Sequence, residues 1–144
     1  MQNQLLMHKV PLDSLKEPAA PLRRHSAAKQ RKLKKSLDHY GMLVPLLLAK
    51  GEIVDGVARY EAAKAIGLQH VPVIDISHLN SNEIRALRLA LNRLQEEVQW
   101  DRKAVAHELR HLIDIGFEID LTGFDTVEIE NHLEIGEPDG DVKT

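Results

Sequence analysis

Between Val44 and Ser77 the chain changes its hydrophobic period in a fixed order, and that order leaves few folds open. "VPLLLAKGEIVDG" reads as two short strands turned at Lys50-Gly51. "GVARYEAAKAIG" then reads as an amphipathic helix starting at Gly56, and "HVPVIDIS" returns to a strand. Upstream, "LLMHKVPLDSL" predicts a first strand ending in a turn. "RRHSAAKQRKLKKSLDHYG" predicts a helix with Ser26 as N-cap and Gly41 as stop. Downstream, Asn80 and Glu83 form a capping box for a helix running to about Gln95. Ile84, Leu87, Leu91, Leu94 and Val98 recur there at helical spacing and predict a buried seam. Together these elements predict an α/β (α+β) class, a small mixed sheet with helices.

Beyond it lies a helical annex. Asp101 is placed to cap "RKAVAHELRHLIDI", and "TVEIENHL" predicts a short last helix. Trp100 is expected to pack where the two long helices meet. The expected organisation is a domain over 1–98, an annex over 99–134, and an acidic Gly/Pro-containing tail over 135–144 that is disordered or a linker. The chain has no cysteine, which excludes disulfides and thiol chemistry, and no apolar run of the ~20 residues that a membrane span needs. A cytoplasmic location without membrane partners is therefore expected. Charge is uneven: residues 1–40 carry nine Lys/Arg against three Asp/Glu, whereas 101–144 carry four against twelve. Such a chain can meet an anionic ligand locally, but the balance does not favour wrapping DNA with the whole surface.

The Gly56 turn sharpens that expectation. A helix start presents free backbone N–H groups and a partial positive charge, and glycine lets a ligand approach the backbone. Arg59 shares the inner stripe with Ala62, Ala63 and Ile66. Helical side chains lean toward the N-terminus, which hangs the guanidinium over the same mouth. Either a phosphate meets both groups there, or Arg59 is tied to a carboxylate such as Asp55 or Glu61.

The order of these segments resembles the N-terminal domain of the ParB/sulfiredoxin superfamily. "GVARYEAAKAIGLQHVPV" is similar to its G-x-x-R-x-x-A-A segment. "ALNRLQEEVQWD" is similar to a segment of the ParB-like (ParB-like nuclease) domains associated with DNA methyltransferases. The resemblance covers about residues 8–133. It implies nucleotide phosphate binding by Gly56 and Arg59, with Arg23 and Ser26 facing the same site and Asn92 and Arg93 contributing metal or phosphate contacts. It also implies CTP or ATP as ligand, with Mg²⁺ as accompanying ion, and a role in DNA partition or DNA modification. The implied partners are DNA and a protein such as a methyltransferase or partition protein. Val57 and Ala58 stand where relatives often carry polar residues, and Leu91 where an acidic one is usual. Without that carboxylate, binding is favoured over NTPase or nuclease catalysis, and no catalytic residue is assigned. With a degenerate pocket the domain would act as a protein-binding adaptor.

Two weaker signals compete. His107, Glu108 and His111 form an H-E-x-x-H pattern, the zinc hydrolase arrangement. Arg110 inside it and its place off the apolar seam favour surface histidines and no metal. Lys29, Arg31, Lys32, Lys34 and Lys35 form a basic helix face suited to non-specific DNA contact. "TVEIENHL" lacks Lys and Arg, which argues against base reading by the annex.

Overall fold

The computed structural model describes residues 5–135. Residues 136–144, where a disordered tail is expected, lie outside them. The chain divides into two compact units between Glu97 and Val98.

The first unit is built on four strands, β1 (Met7–Pro11), β2 (Leu46–Ala49), β3 (Glu52–Asp55) and β4 (His70–Asp75), in the order β1-β4-β2-β3. β4 runs antiparallel to β1 and parallel to β2, and β2 and β3 form an antiparallel hairpin. The sheet is mixed because a helix carries the chain from β3 back to β4, whereas two residues suffice between β2 and β3. Those two, Lys50 and Gly51, both have positive φ, as a tight hairpin turn requires.

Alternation decides which side of the sheet is buried. Leu46, Leu48, Ile53, Val71 and Val73 form its core face. Over them pack α1 (Ala27–Tyr40) through Leu37 and α2 (Val57–Ala65) through Tyr60, Ala62 and Ala63. The small residues of α2 permit close approach, and Gln30 Nε2 donates to the Ala58 carbonyl at 3.1 Å to join the helices. Ser26 Oγ accepts from Lys29 N at 3.0 Å and starts α1, and Gly41 at φ 77° ends it.

The third helix, α3 (Ser81–Gln95), opens with the Asn80–Glu83 capping box at 2.8 and 2.9 Å. Its expected seam is less buried than its periodicity implies. Ile84, Leu87 and Leu91 are half-buried, Leu94 is 60% exposed and Val98 is 63% exposed. A helix of this length spans about 22 Å, whereas the four-residue strand β3 that it meets spans about 13 Å. One strand cannot cover the whole stripe.

The second unit contains α4 (Arg102–Asp114), a short 3-10 turn (Ile119–Thr122) and α5 (Thr126–Ile135). Asp101 caps α4. Ala106 and Leu109 pack with Ile129 and His132 of α5, and Arg110 Nη2 donates to the Leu133 carbonyl at 3.1 Å. Trp100 sits against Phe124 and His132 with ring centroids at 5.3 and 6.5 Å, so its aromatic partners lie toward α5. Among the described residues, no helix is long and apolar enough to cross a membrane.

Candidate functional site

β3 ends at Asp55, and the chain must turn into α2 within one residue. Gly56 does this at φ 108° and ψ 22°, and its carbonyl accepts from Tyr60 N at 2.9 Å to begin the helix. A Cβ at this position would collide with Cδ2 of the fully buried Leu46 and lie 3.1 Å from Arg59 Nη2. Glycine is therefore required by conformation and by space together.

Arg59 folds back over this turn. Its Nη2 reaches the Pro45 carbonyl at 3.4 Å and Asp55 Oδ2 at 3.5 Å, both longer than a well-formed hydrogen bond. Its Nε is buried with no hydrogen-bond partner. Of the two carboxylates suggested by sequence, only Asp55 is near. Glu61 instead faces Glu17, and its carboxyl is raised above the ordinary range by burial, by the Glu17 charge and by the hydrogen bond between them. The guanidinium is thus tethered on one side and short of partners on the other.

A cleft opens beside it. Its volume is about 90 Å³, and it is open to solvent. Arg23, His25, Lys29, Gly56, Arg59, Arg88 and Asn92 all line it, with Asp55 as the one carboxylate on its wall. The cations crowd one another. Lys29 is held below its ordinary value by burial and by the charges of Arg23 and Arg59. His25 is lowered by burial and by Lys29 and Arg23. Arg23 also stands 3.8 Å from Glu96, and with Asp55 as the one carboxylate on the wall the lining keeps a net positive charge.

The structure therefore brings together four residues that sequence singled out: Arg23, Gly56, Arg59 and Asn92. Ser26 is not on the wall; its oxygen caps α1 and thereby sets the positions of His25 and Lys29. Arg93 also lies off the cleft, 67% exposed and turned to Glu96 and Glu97 at 3.5 and 3.7 Å. Arg88 takes the place expected of it. Arg88 donates to the Ala20 carbonyl, and Asn92 Nδ2 donates to the Arg88 carbonyl at 2.7 Å. Arg88, Asn92 and Gln95 fall at i, i+4 and i+7 of α3, a polar stripe readable from sequence once the helix is drawn. Of the basic face assigned to DNA, Lys29 belongs to the cleft, and Lys32 and Lys34 are half-buried. His107, Glu108 and His111 are exposed on α4, and no group of three metal-ligating side chains occurs among the described residues.

A mixed four-stranded sheet with helices, and a basic cleft where α2 starts at a glycine, defines a small α/β domain. Residues 1–93 match the ParB N-terminal domain, and the chain belongs to that family. Residues 103–144 match the ParB-methyltransferase HTH domain. The ParB-like nuclease domain-containing protein YnaK of Escherichia coli K12 is 35% identical over 74 residues, 51% of this chain and 85% of its own. The C-terminally truncated chromosome-partitioning protein ParB from Caulobacter crescentus, complexed with CTP-gamma-S, superposes with a TM-score of 0.72 at 19% identity, covering 88% of this chain and 76% of its own. The same protein complexed to the centromeric parS site gives 0.51 at 20% identity, with 88% and 70% covered.

Proposed function

We propose that the first unit binds the phosphate chain of a nucleoside triphosphate in the cleft at Gly56, as a binding module in a DNA-related process. The observation that carries this reading is the convergence of Arg23, Lys29, Arg59 and Arg88 on a left-handed glycine, with Asp55 as the one carboxylate on the wall and Glu96 3.8 Å from Arg23. The Caulobacter ParB complexed with CTP-gamma-S makes CTP the first nucleotide to try. Four cations line this cleft, so phosphate contacts are expected to dominate affinity. Calorimetric titration with CTP, ATP and GTP, with and without Mg²⁺, tests it. Saturable binding without product release supports the module; turnover would replace it with an NTPase, and no binding would retire it.

Binding should depend on pH through His25. In the free protein, burial and the neighbouring cations hold this imidazole below its ordinary value of 6.5. A polyphosphate beside it reverses the sign of the local field and raises that value. Nucleotide binding therefore takes up protons, and affinity grows as pH falls through the raised bound-state value, levelling off below the free-state value. His25→Asn should flatten the profile; an unchanged slope would place His25 outside the bound complex.

The HTH match at 103–144 supports DNA contact by the second unit. Its charge limits that contact: residues 98–135 carry three Lys/Arg against nine Asp/Glu. Glu128 closes a reciprocal cap with Asp125 at 2.8 and 2.9 Å, a structural use for one acidic residue at the start of α5. Binding of a random duplex is expected to be weak and to fall steeply between about 50 and 200 mM salt. Tight binding that ignores salt would contradict this.

A further inference from the structure

A second groove, about 600 Å³ in volume, lies between the β2–β3 hairpin and the first half of α3. Its accessible apolar lining is Leu79 and Ile84, beside the buried Ile53 and Val54, and it also carries Lys16, Lys50, Arg85 and Arg88 with Glu52 as the one carboxylate. Lys16, Lys50 and Arg85 make no ion pair among the described residues. Lys50 holds φ 52° at a turn position that favours Asn or Gly, so a lysine stands at the mouth despite a conformational cost.

We propose that this groove docks an acidic segment of a partner protein, one whose carboxylates alternate with apolar side chains. Charge complementarity selects the sign, since a polycation would face four positive groups against the single carboxylate of Glu52. The apolar lining selects the rest. Leu79 and Ile84 keep part of their apolar surface in water, whereas Ile53 and Val54 are already buried, so an occupant gains by placing apolar groups over Leu79 and Ile84. Nucleic acid does not meet this requirement: no aromatic side chain lines the groove to stack a base, and a phosphate backbone gains nothing from an aliphatic lining. The start of α3 is closed by its own capping box, so the attraction comes from the cationic side chains and not from free backbone N–H groups. Only Arg88 and Val54 are common to this groove and the cleft, so Lys50 and Arg85 test it independently of the nucleotide reading.

Fluorescence anisotropy on the full chain supplies the test, with a fluorescein-labelled peptide in which Leu alternates with Glu. The comparators are a Lys–Leu peptide, a Glu–Ser peptide and a labelled DNA duplex. The Glu–Leu peptide should bind about tenfold or more tightly than each of them. Lys50→Glu combined with Arg85→Glu should remove that preference while leaving the melting temperature and the cleft's nucleotide affinity unchanged. Absence of binding would overturn the proposal. So would equal binding of the Glu–Ser peptide or the duplex, or binding that survives the double charge reversal.

Discussion

Gly56→Ala is expected to lower the melting temperature by roughly 10–25 °C and to abolish nucleotide binding even below the transition. Two costs add. An L-residue forced into the left-handed region loses roughly 1–2 kcal/mol. The new methyl must also displace Cδ2 of Leu46, a fully buried core side chain. Overpacking of that kind costs about 1–3 kcal/mol. Gly51→Ala separates the two terms: its φ is 82°, yet a Cβ there meets nothing within 4 Å. Only the conformational cost should appear in its thermal melt. Equal melting temperatures for the two variants would show that Leu46 yields and that Gly56 is held by backbone conformation alone.

The elements of the fold were legible because their signals are local. Ser26, Gly41, Asn80 with Glu83, and Asp101 each act on a backbone group within four residues, and each stands where the sequence places it. The hairpin turn at Lys50-Gly51 and the alternation through Leu46 and Leu48 are equally local. Burial of α3 was not legible, because periodicity reports that a helix has an apolar stripe and not how much surface is available to cover it. The partners of Trp100 were hidden for a related reason: Phe124 and His132 are far along the chain and meet the indole only after α4 and α5 pack.

The site followed the same division. Gly56 and Arg59 carry a local geometric argument and line the cleft as expected. Arg93 does not, because one residue along a helix rotates a side chain by about 100°, turning it from the cleft toward Glu96 and Glu97. Arg88, one turn before Asn92, fills that role. By sequence Lys29 belongs to a basic run suited to DNA, because composition assigns a charge to a segment and not to a direction. Its neighbours Arg23 and Arg59 become visible only when the segment before α1 folds against the start of α2.

Arg59→Ala should weaken nucleotide binding by about 10- to 150-fold, the loss of one charge-assisted contact worth roughly 1.5–3 kcal/mol. The fold should barely register the change. The arginine's contacts to Pro45 and Asp55 are long, its side chain is 24% exposed, and removing it also removes an unsatisfied buried Nε. A melting temperature within a few degrees of wild type is therefore expected. Arg59→Lys should recover only part of the affinity, because an ammonium keeps the charge and loses the planar fork. Asp55 sharpens the test. Standing alone beside a phosphate after Arg59→Ala, its carboxylate repels the ligand, so adding Asp55→Asn should restore some binding when Mg²⁺ is absent. Loss of binding in that double variant only when Mg²⁺ is supplied would make Asp55 a metal contact in the bound state. Unchanged affinity in Arg59→Ala with a large drop in melting temperature would instead make the arginine a structural ion pair. The remaining cations, Arg23, Lys29 and Arg88, would then be left to account for any binding, through a ligand seated away from the Gly56 turn.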